Sequence, residues 1–126
     1  MTLIVVYAAK GLTIPAGRLV RLTGNRNGPG WEIDLPTRRD QRTHALTLPT
    51  PSGAITAADW GQARALGELA DLELAGAVNV DDDLCAEVDG RAYRAPGGSR
   101  NPHAVALAKM PAGKLCPVLL GLNRRR

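Results

Sequence analysis

Short apolar segments with a period of two recur along this chain, and each is closed by a glycine- or proline-bearing turn. Leu3–Tyr7, Arg18–Leu22, Trp31–Leu35, Thr43–Leu48, Glu68–Leu74, Leu84–Val88, Arg91–Ala95 and His103–Leu107 all read as strands, because alternation places one set of side chains on one face of a sheet. A final aliphatic run, Leu115–Leu120, follows the Pro111-Ala112-Gly113 turn. Asp89-Gly90, between two such segments, predicts a two-residue hairpin turn with Val88 opposite Arg91 and Ala86 opposite Tyr93. Thr56–Ala70 is ambiguous. Thr56-Ala57-Ala58-Asp59 resembles a helix-capping box, whereas Gly61 and Gly67 would each weaken a helix by about 1 kcal/mol.

Self-comparison addresses that ambiguity. A shift of 66 residues superposes Leu12 on Val78, Ile14 on Val80, Leu22 on Val88 and Gly24 on Gly90. A shift of 59 superposes His44–Leu48 on His103–Leu107, and one of 52 places Gly61–Leu66 on Gly113–Val118. Three matches in the same order indicate a repeated unit. The second copy of the Gly61 segment is aliphatic and contains Pro117, so Gln62–Leu66 is expected to be a strand. The expected fold is mainly β with little or no helix: a small compact barrel or sandwich in one domain over residues 1–126. Its pseudo-repeated halves span residues 11–66 and 77–120, and a basic tail spans 123–126.

Composition sharpens this picture. The 126 residues include 14 Gly and 9 Pro, which favours short elements and many turns. There is no Phe, and the aromatics are Tyr7, Trp31, Trp60 and Tyr93. A core this poor in large side chains suggests support from self-association, with Trp31 and Trp60 as candidate oligomer-interface anchors. Met1–Val6 is too short for a signal sequence or a membrane span, so a soluble, non-secreted chain with no membrane partner is expected. Cys85 and Cys116 lack CxxC spacing and are either reduced core residues or a disulfide pair.

Net charge is +4, concentrated at Arg38, Arg39 and Arg42 and at Arg124, Arg125 and Arg126. Such clusters suit an acidic protein surface or nucleic acid, but no aromatic residues interleave with them as a base-stacking platform would require. Catalytic signals are weak. His44 and His103 occupy equivalent repeat positions, Asp81–Asp83 lacks the spacing of a calcium loop, and no phosphate-binding glycine motif or nucleophile elbow occurs. The expectation is a non-enzyme with no metal and no cofactor.

Several segments resemble the small capsid decoration, or cement, proteins of tailed bacteriophages. They are Ile14-Pro15-Ala16-Gly17-Arg18-Leu19-Val20, Gly76-Ala77-Val78 with Asp83-Leu84 and Asp89-Gly90-Arg91-Ala92, and Ala104-Val105-Ala106-Leu107 with Ala112-Gly113-Lys114-Leu115 and Val118-Leu119-Leu120. The likeness is weakest over Asn25–Ser52. The Arg38–Arg42 loop, the Arg124–Arg126 tail and Asp83, at a position where Gly is common, depart from the pattern. The resemblance implies a virion protein on the outer capsid surface, made in the host cytoplasm. It implies a homotrimer that clamps neighbouring major capsid protein subunits and stabilises the expanded head. Leu3, Ile4 and Val5 are then candidates for a terminal arm adding to a neighbour's sheet, and the two arginine clusters for capsid contact. Alternatives are another virion β-module, such as a head-fibre base or tail component, or a basic nucleic-acid-binding barrel.

Overall fold

The computed structural model describes residues 3–39, 41–64, 69–95 and 104–120. Among them there are twelve strands and no helix. Five strands of the first half form a closed barrel in the order β1-β4-β3-β5-β7: β1 (Leu3–Ala8), β4 (Gly30–Asp34), β3 (Leu19–Asn27), β5 (Ala45–Thr47) and β7 (Gly61–Arg64). Closure satisfies the backbone donors and acceptors that an open sheet would leave at its edges. All its pairings are antiparallel except β1 with β4, where Val6, Tyr7 and Ala8 run alongside Trp31, Glu32 and Ile33. A two-stranded flap, β2 (Ile14–Pro15) with β6 (Ala54–Ile55), buries Ile14 and Ile55 in the barrel's core.

The second half uses the same plan. Its strands are ordered β10-β9-β11-β12-β8: β10 (Ala92–Arg94), β9 (Asp83–Ala86), β11 (Ala104–Ala106), β12 (Leu115–Leu120) and β8 (Leu69–Glu73). The two end strands are drawn together by one parallel bridge, Leu74 with Ala92, and the Ala75 N–H donates to the Ala92 carbonyl at 2.6 Å. In the first barrel the Ala9 N–H donates to the Ile33 carbonyl in the same place. The correspondence runs through the molecule. Thr47 donates to the Arg18 carbonyl as Ala106 does to that of Asp82, and Leu48 donates to Gln62 as Leu107 does to Pro117. Ile14 pairs with Ile55 as Val78 bridges Met110.

These pairings correct two of the sequence superpositions. Ile14 corresponds to Val78, two residues before Val80, and Ala63 corresponds to Val118, three residues beyond Leu115. The 59-residue shift is the register that the structure uses. Gln62–Arg64 is strand, as expected from the repeat, while Ala65 and Leu66 lie outside the described residues.

The Asp89-Gly90 hairpin also differs from expectation. Ala86 faces Ala92 and Cys85 faces Tyr93, so the loop is Val88-Asp89-Gly90. The Gly90 N–H donates to the Glu87 carbonyl at 2.9 Å and the Glu87 N–H to the Arg91 carbonyl at 2.7 Å. Only Gly90 has positive φ, at 83°. This is the three-residue turn with a glycine bulge, and it leaves Asp89 in an ordinary conformation. The physical reason lies outside the hairpin: the Gly90 carbonyl accepts the Leu19 N–H at 2.8 Å, which fixes the turn against the first half.

The halves share a core. Val6, Val20, Ile33 and Ala63 fill the first barrel, but Leu19 and Leu46 pack instead with Leu72, Leu84, Val118 and Leu120 of the second. Burying two leucines in a neighbouring core contributes roughly 3–6 kcal/mol before entropy is considered, enough to couple the halves. Cys85 and Cys116 are buried and carry thiols with no disulfide between them. Burial pushes the Cys116 thiol up from its ordinary range.

Candidate interaction surface

The junction between the halves is built from the turn that follows β2. Gly17, at φ 79°, accepts the Glu73 N–H at its carbonyl (3.0 Å), and a Cβ there would lie 3.2 Å from the Leu115 side chain and 3.4 Å from the Glu73 nitrogen. Arg18 then reaches across, its Nη1 donating to the Asp89 carbonyl (3.0 Å) and its Nη2 lying 3.4 Å from Glu73 Oε1. Its Nε is buried without a hydrogen-bond partner. Burial pushes the Asp89 carboxyl up, but the Arg91 N–H, the Arg91 guanidinium and the charges of Arg91 and Arg18 outweigh that and hold it below the ordinary value. Beside the junction, Ala16, Leu48, Pro49, Leu107, Leu115 and Pro117 line a hollow of about 460 Å³ with Arg64 and Asp71 at it.

The expected contact residues fall in different places. Leu3, Ile4 and Val5 do not form an arm: Leu3–Val6 pair with β7 and Val6–Ala8 with β4, so β1 is a stave of the closed barrel. Arg38, Arg39 and Arg42 lie outside the strands, between β4 and β5. Arg38 and Arg42 are exposed, whereas Arg39 is drawn onto the second half, with Nε 3.0 Å from Glu87 Oε2 and its guanidinium 4.1 Å from the Tyr93 ring centroid. Arg124, Arg125 and Arg126 lie outside the described residues.

Trp31 is half-buried against the first core, with Arg26 stacked on it at 4.2 Å. Trp60 stacks on Tyr7 with centroids 5.1 Å apart and lies directly over Gly30, where a Cβ would collide with it. Its indole N–H donates to the Ala57 carbonyl, and the ring remains 37% exposed. The capping-box likeness at Thr56 is real chemistry in another setting. Its hydroxyl accepts the Ala58 and Asp59 N–H groups in a turn that presents Trp60.

His44 accepts the Leu22 N–H on Nδ1 at 3.0 Å, which requires that nitrogen to be unprotonated. Desolvation, then the Arg42 and Arg21 charges, depress its pKa, with Asp34 opposing. His103 lies outside the described residues. Asp82 caps the turn at the Asn79 N–H (2.8 Å), and no group of three or more metal-ligating side chains occurs among the described residues.

The outward face of β12 is not among the contact residues expected from the sequence. Cys116, Val118 and Leu120 point into the core, while Leu115, Pro117 and Leu119 point out and are exposed. A barrel wall facing water normally carries polar residues at those positions. The signal was present in a six-residue run with no polar side chain. Exposed Leu107 lies beside it, donating its N–H to the Pro117 carbonyl. The arrangement places exposed apolar side chains beside a hollow.

Comparison with family models gives no match, and neither does comparison with curated proteins. Among solved structures, the chain is similar to the head fibre gp8.5 N base of bacteriophage phi29. The TM-score is 0.73 at 13% identity, covering 99% of this chain and 98% of that one. The two share a fold. Because nearly all of both chains is covered, the likeness extends to the paired arrangement of the halves and is not confined to one barrel.

Proposed function

We propose that this chain is a structural protein of a phage head, attached to the outer capsid surface and acting by binding, without catalysis or a cofactor. The observation that carries this reading is the whole-length likeness in fold to a phage head-fibre base. Its support within the chain is the exposed apolar face of β12 and the cations Arg38 and Arg42. In this reading the major capsid protein is the partner, an acidic patch of it receives Arg38, Arg42 and the Arg124–Arg126 tail, and the chain self-associates as a trimer.

Two roles fit such a location. A clamp would bridge neighbouring capsid subunits, as the decoration-protein resemblance implies, and a fibre base would use the capsid as an anchor. The phi29 neighbour, a fibre base by its description, favours the second. Co-sedimentation with purified expanded heads of the encoding phage tests the shared claim. Binding is expected, and replacing Arg38 and Arg42 by Glu is expected to weaken it at least tenfold. A clamp also raises the temperature at which heads release DNA, whereas a fibre base leaves it unchanged. A chain that stays in the supernatant but binds DNA with a steep salt dependence would favour the basic nucleic-acid-binding barrel instead.

A further inference from the structure

The repeat makes the junction inside the chain a template for a junction between chains. The first half contributes one face to it: Gly17, Arg18, Leu19, Leu46 and Leu48. The second half contributes a different face, with Asp71, Glu73 and Leu115 beside the Gly90 turn. Because the halves share one pairing scheme, each face has a counterpart on the other half, and among the described residues part of each counterpart is exposed.

On the second half, the counterparts of Gly17, Arg18 and Leu19 are Asp81, Asp82 and Asp83. Asp81 keeps the left-handed conformation of Gly17, with φ 71° against 79°, the one described non-glycine residue to do so. Leu46 and Leu48 correspond to Val105 and Leu107, and Ala16 to Val80. Leu48 and Ala16 are half-buried at the internal junction, whereas their counterparts Leu107 and Val80 are 43% and 54% exposed. On the first half, the counterparts of Asp71, Glu73 and Leu115 are Val5, Tyr7 and Trp60. Apolar surface is therefore left open at both free versions of the joint.

Charge selects the occupant. Residues 1–64 carry eight Lys and Arg against four Asp and Glu, while residues 65–120 carry five against eight. Inside the chain a cation of the first half, Arg18, meets acceptors of the second. At the free joint the acidic residues lie on the second half: Asp81 is exposed, Asp83 is half-buried and Asp82 is ion-paired with Arg94 at 3.9 Å, while the first half that would receive them carries the net positive charge.

We infer that a second copy of this chain docks head to tail. The Val80, Leu107 and Asp81–Asp83 face of one copy seats on the Val5, Tyr7 and Trp60 face of the next, repeating the internal junction. Such a contact is heterologous, so it closes into a ring when the rotation per copy divides a full turn. Two similar halves per copy then give a ring with twice as many quasi-equivalent units as chains. This deepens the proposed self-association and rests on that part of the reading; it is independent of whether the chain binds phage heads.

The test is the mass in solution by light scattering at low salt, with two variants that each spoil one face. Leu107→Glu adds a like charge to the acidic face, and Val5→Glu places a charge that the acidic face repels. Both positions point outward from the barrel wall, and unchanged far-UV circular dichroism verifies that each variant folds. The wild type is expected to form a closed oligomer, and each variant alone is expected to run as a monomer. A mixture of the two is expected to form a one-to-one dimer and nothing larger, because only one intact joint can be assembled from them. A monomeric wild type up to about 1 mM, variants that keep the wild-type mass, or a mixture that stays monomeric would each overturn the inference. Co-sedimentation of the monomeric Val5→Glu variant with heads reads the functional proposal separately, because Val5 lies away from the β12 face and the Arg38 and Arg42 cations.

Discussion

Arg18 and Glu73 meet across the junction between the two halves, guanidinium Nη2 to carboxylate Oε1 at 3.4 Å, with the same arginine donating to the Asp89 carbonyl at 3.0 Å. Both side chains are more than two-thirds sequestered from solvent. Hydrogen bonds to charged groups in such settings contribute about 1.5–3 kcal/mol. Arg18→Ala is therefore expected to lower unfolding stability by about 2 kcal/mol in urea titration. Arg18→Met, which keeps the packed stem and removes the orphaned Nε–H, should lose less. Equal losses would mean that the charge contributes nothing beyond the stem.

Leu19 and Leu46 place first-half side chains in the second-half core. Unfolding should accordingly be a single event. Trp31 and Trp60 both report on the first half, so their fluorescence and the far-UV circular dichroism of the whole chain are expected to give coincident urea transitions. Leu19→Ala should shift both together by about 2–5 kcal/mol. Two separated transitions would show that the halves fold independently.

Gly90 and Gly24 both sit at positive φ, 83° and 97°, yet their surroundings differ. A Cβ on Gly90 would lie 2.7 Å from the Leu19 carbonyl oxygen, whereas one on Gly24 meets nothing within 4 Å. Gly24→Ala is expected to cost only the left-handed conformation, about 1–2 kcal/mol. Gly90→Ala must also push the halves apart, so its thermal midpoint should fall clearly further. Equal midpoints would place the junction elsewhere.

His44 links stability to pH. Its folded-state pKa lies below the ordinary histidine value because burial and the Arg42 and Arg21 charges disfavour the imidazolium. Protonation would also remove the acceptor used by the Leu22 N–H. The unfolded chain then binds the proton more readily than the folded one, so this contribution is complete above about pH 6.5 and is lost as pH falls through the lower folded-state value. The thermal midpoint should decline from pH 7 towards pH 5, and His44→Gln should flatten that decline. A wild-type midpoint that rises on acidification across this range would contradict the assignment.

Much of the fold was legible as alternation and repetition. Thr43–Leu48 and His103–Leu107 share a register that can be read from the residues themselves, and the same comparison turned Gln62–Arg64 from a possible helix into a strand. Less legible were features fixed at a distance. The Asp89-Gly90 turn took a three-residue form because Leu19, some seventy residues away, binds the Gly90 carbonyl. The parallel pairing of β1 with β4, which makes Leu3–Val5 part of a wall and not an arm, leaves no local signature because neither strand's own sequence records its neighbour. The interaction surface was half visible: Arg38 and Arg42 stand out as a cluster, but Arg39 is taken up by Glu87 and Tyr93. The outward face of β12 was hidden because an unbroken aliphatic run reads as core until the barrel shows which side of it faces water.

Electron cryo-microscopy of purified heads incubated with the chain decides whether it sits on the outside of a phage head. Density for the two packed halves is expected on the outer surface of the capsid shell, with Arg38 and Arg42 facing an acidic capsid patch. Heads whose outer surface stays bare at saturating protein would contradict that placement.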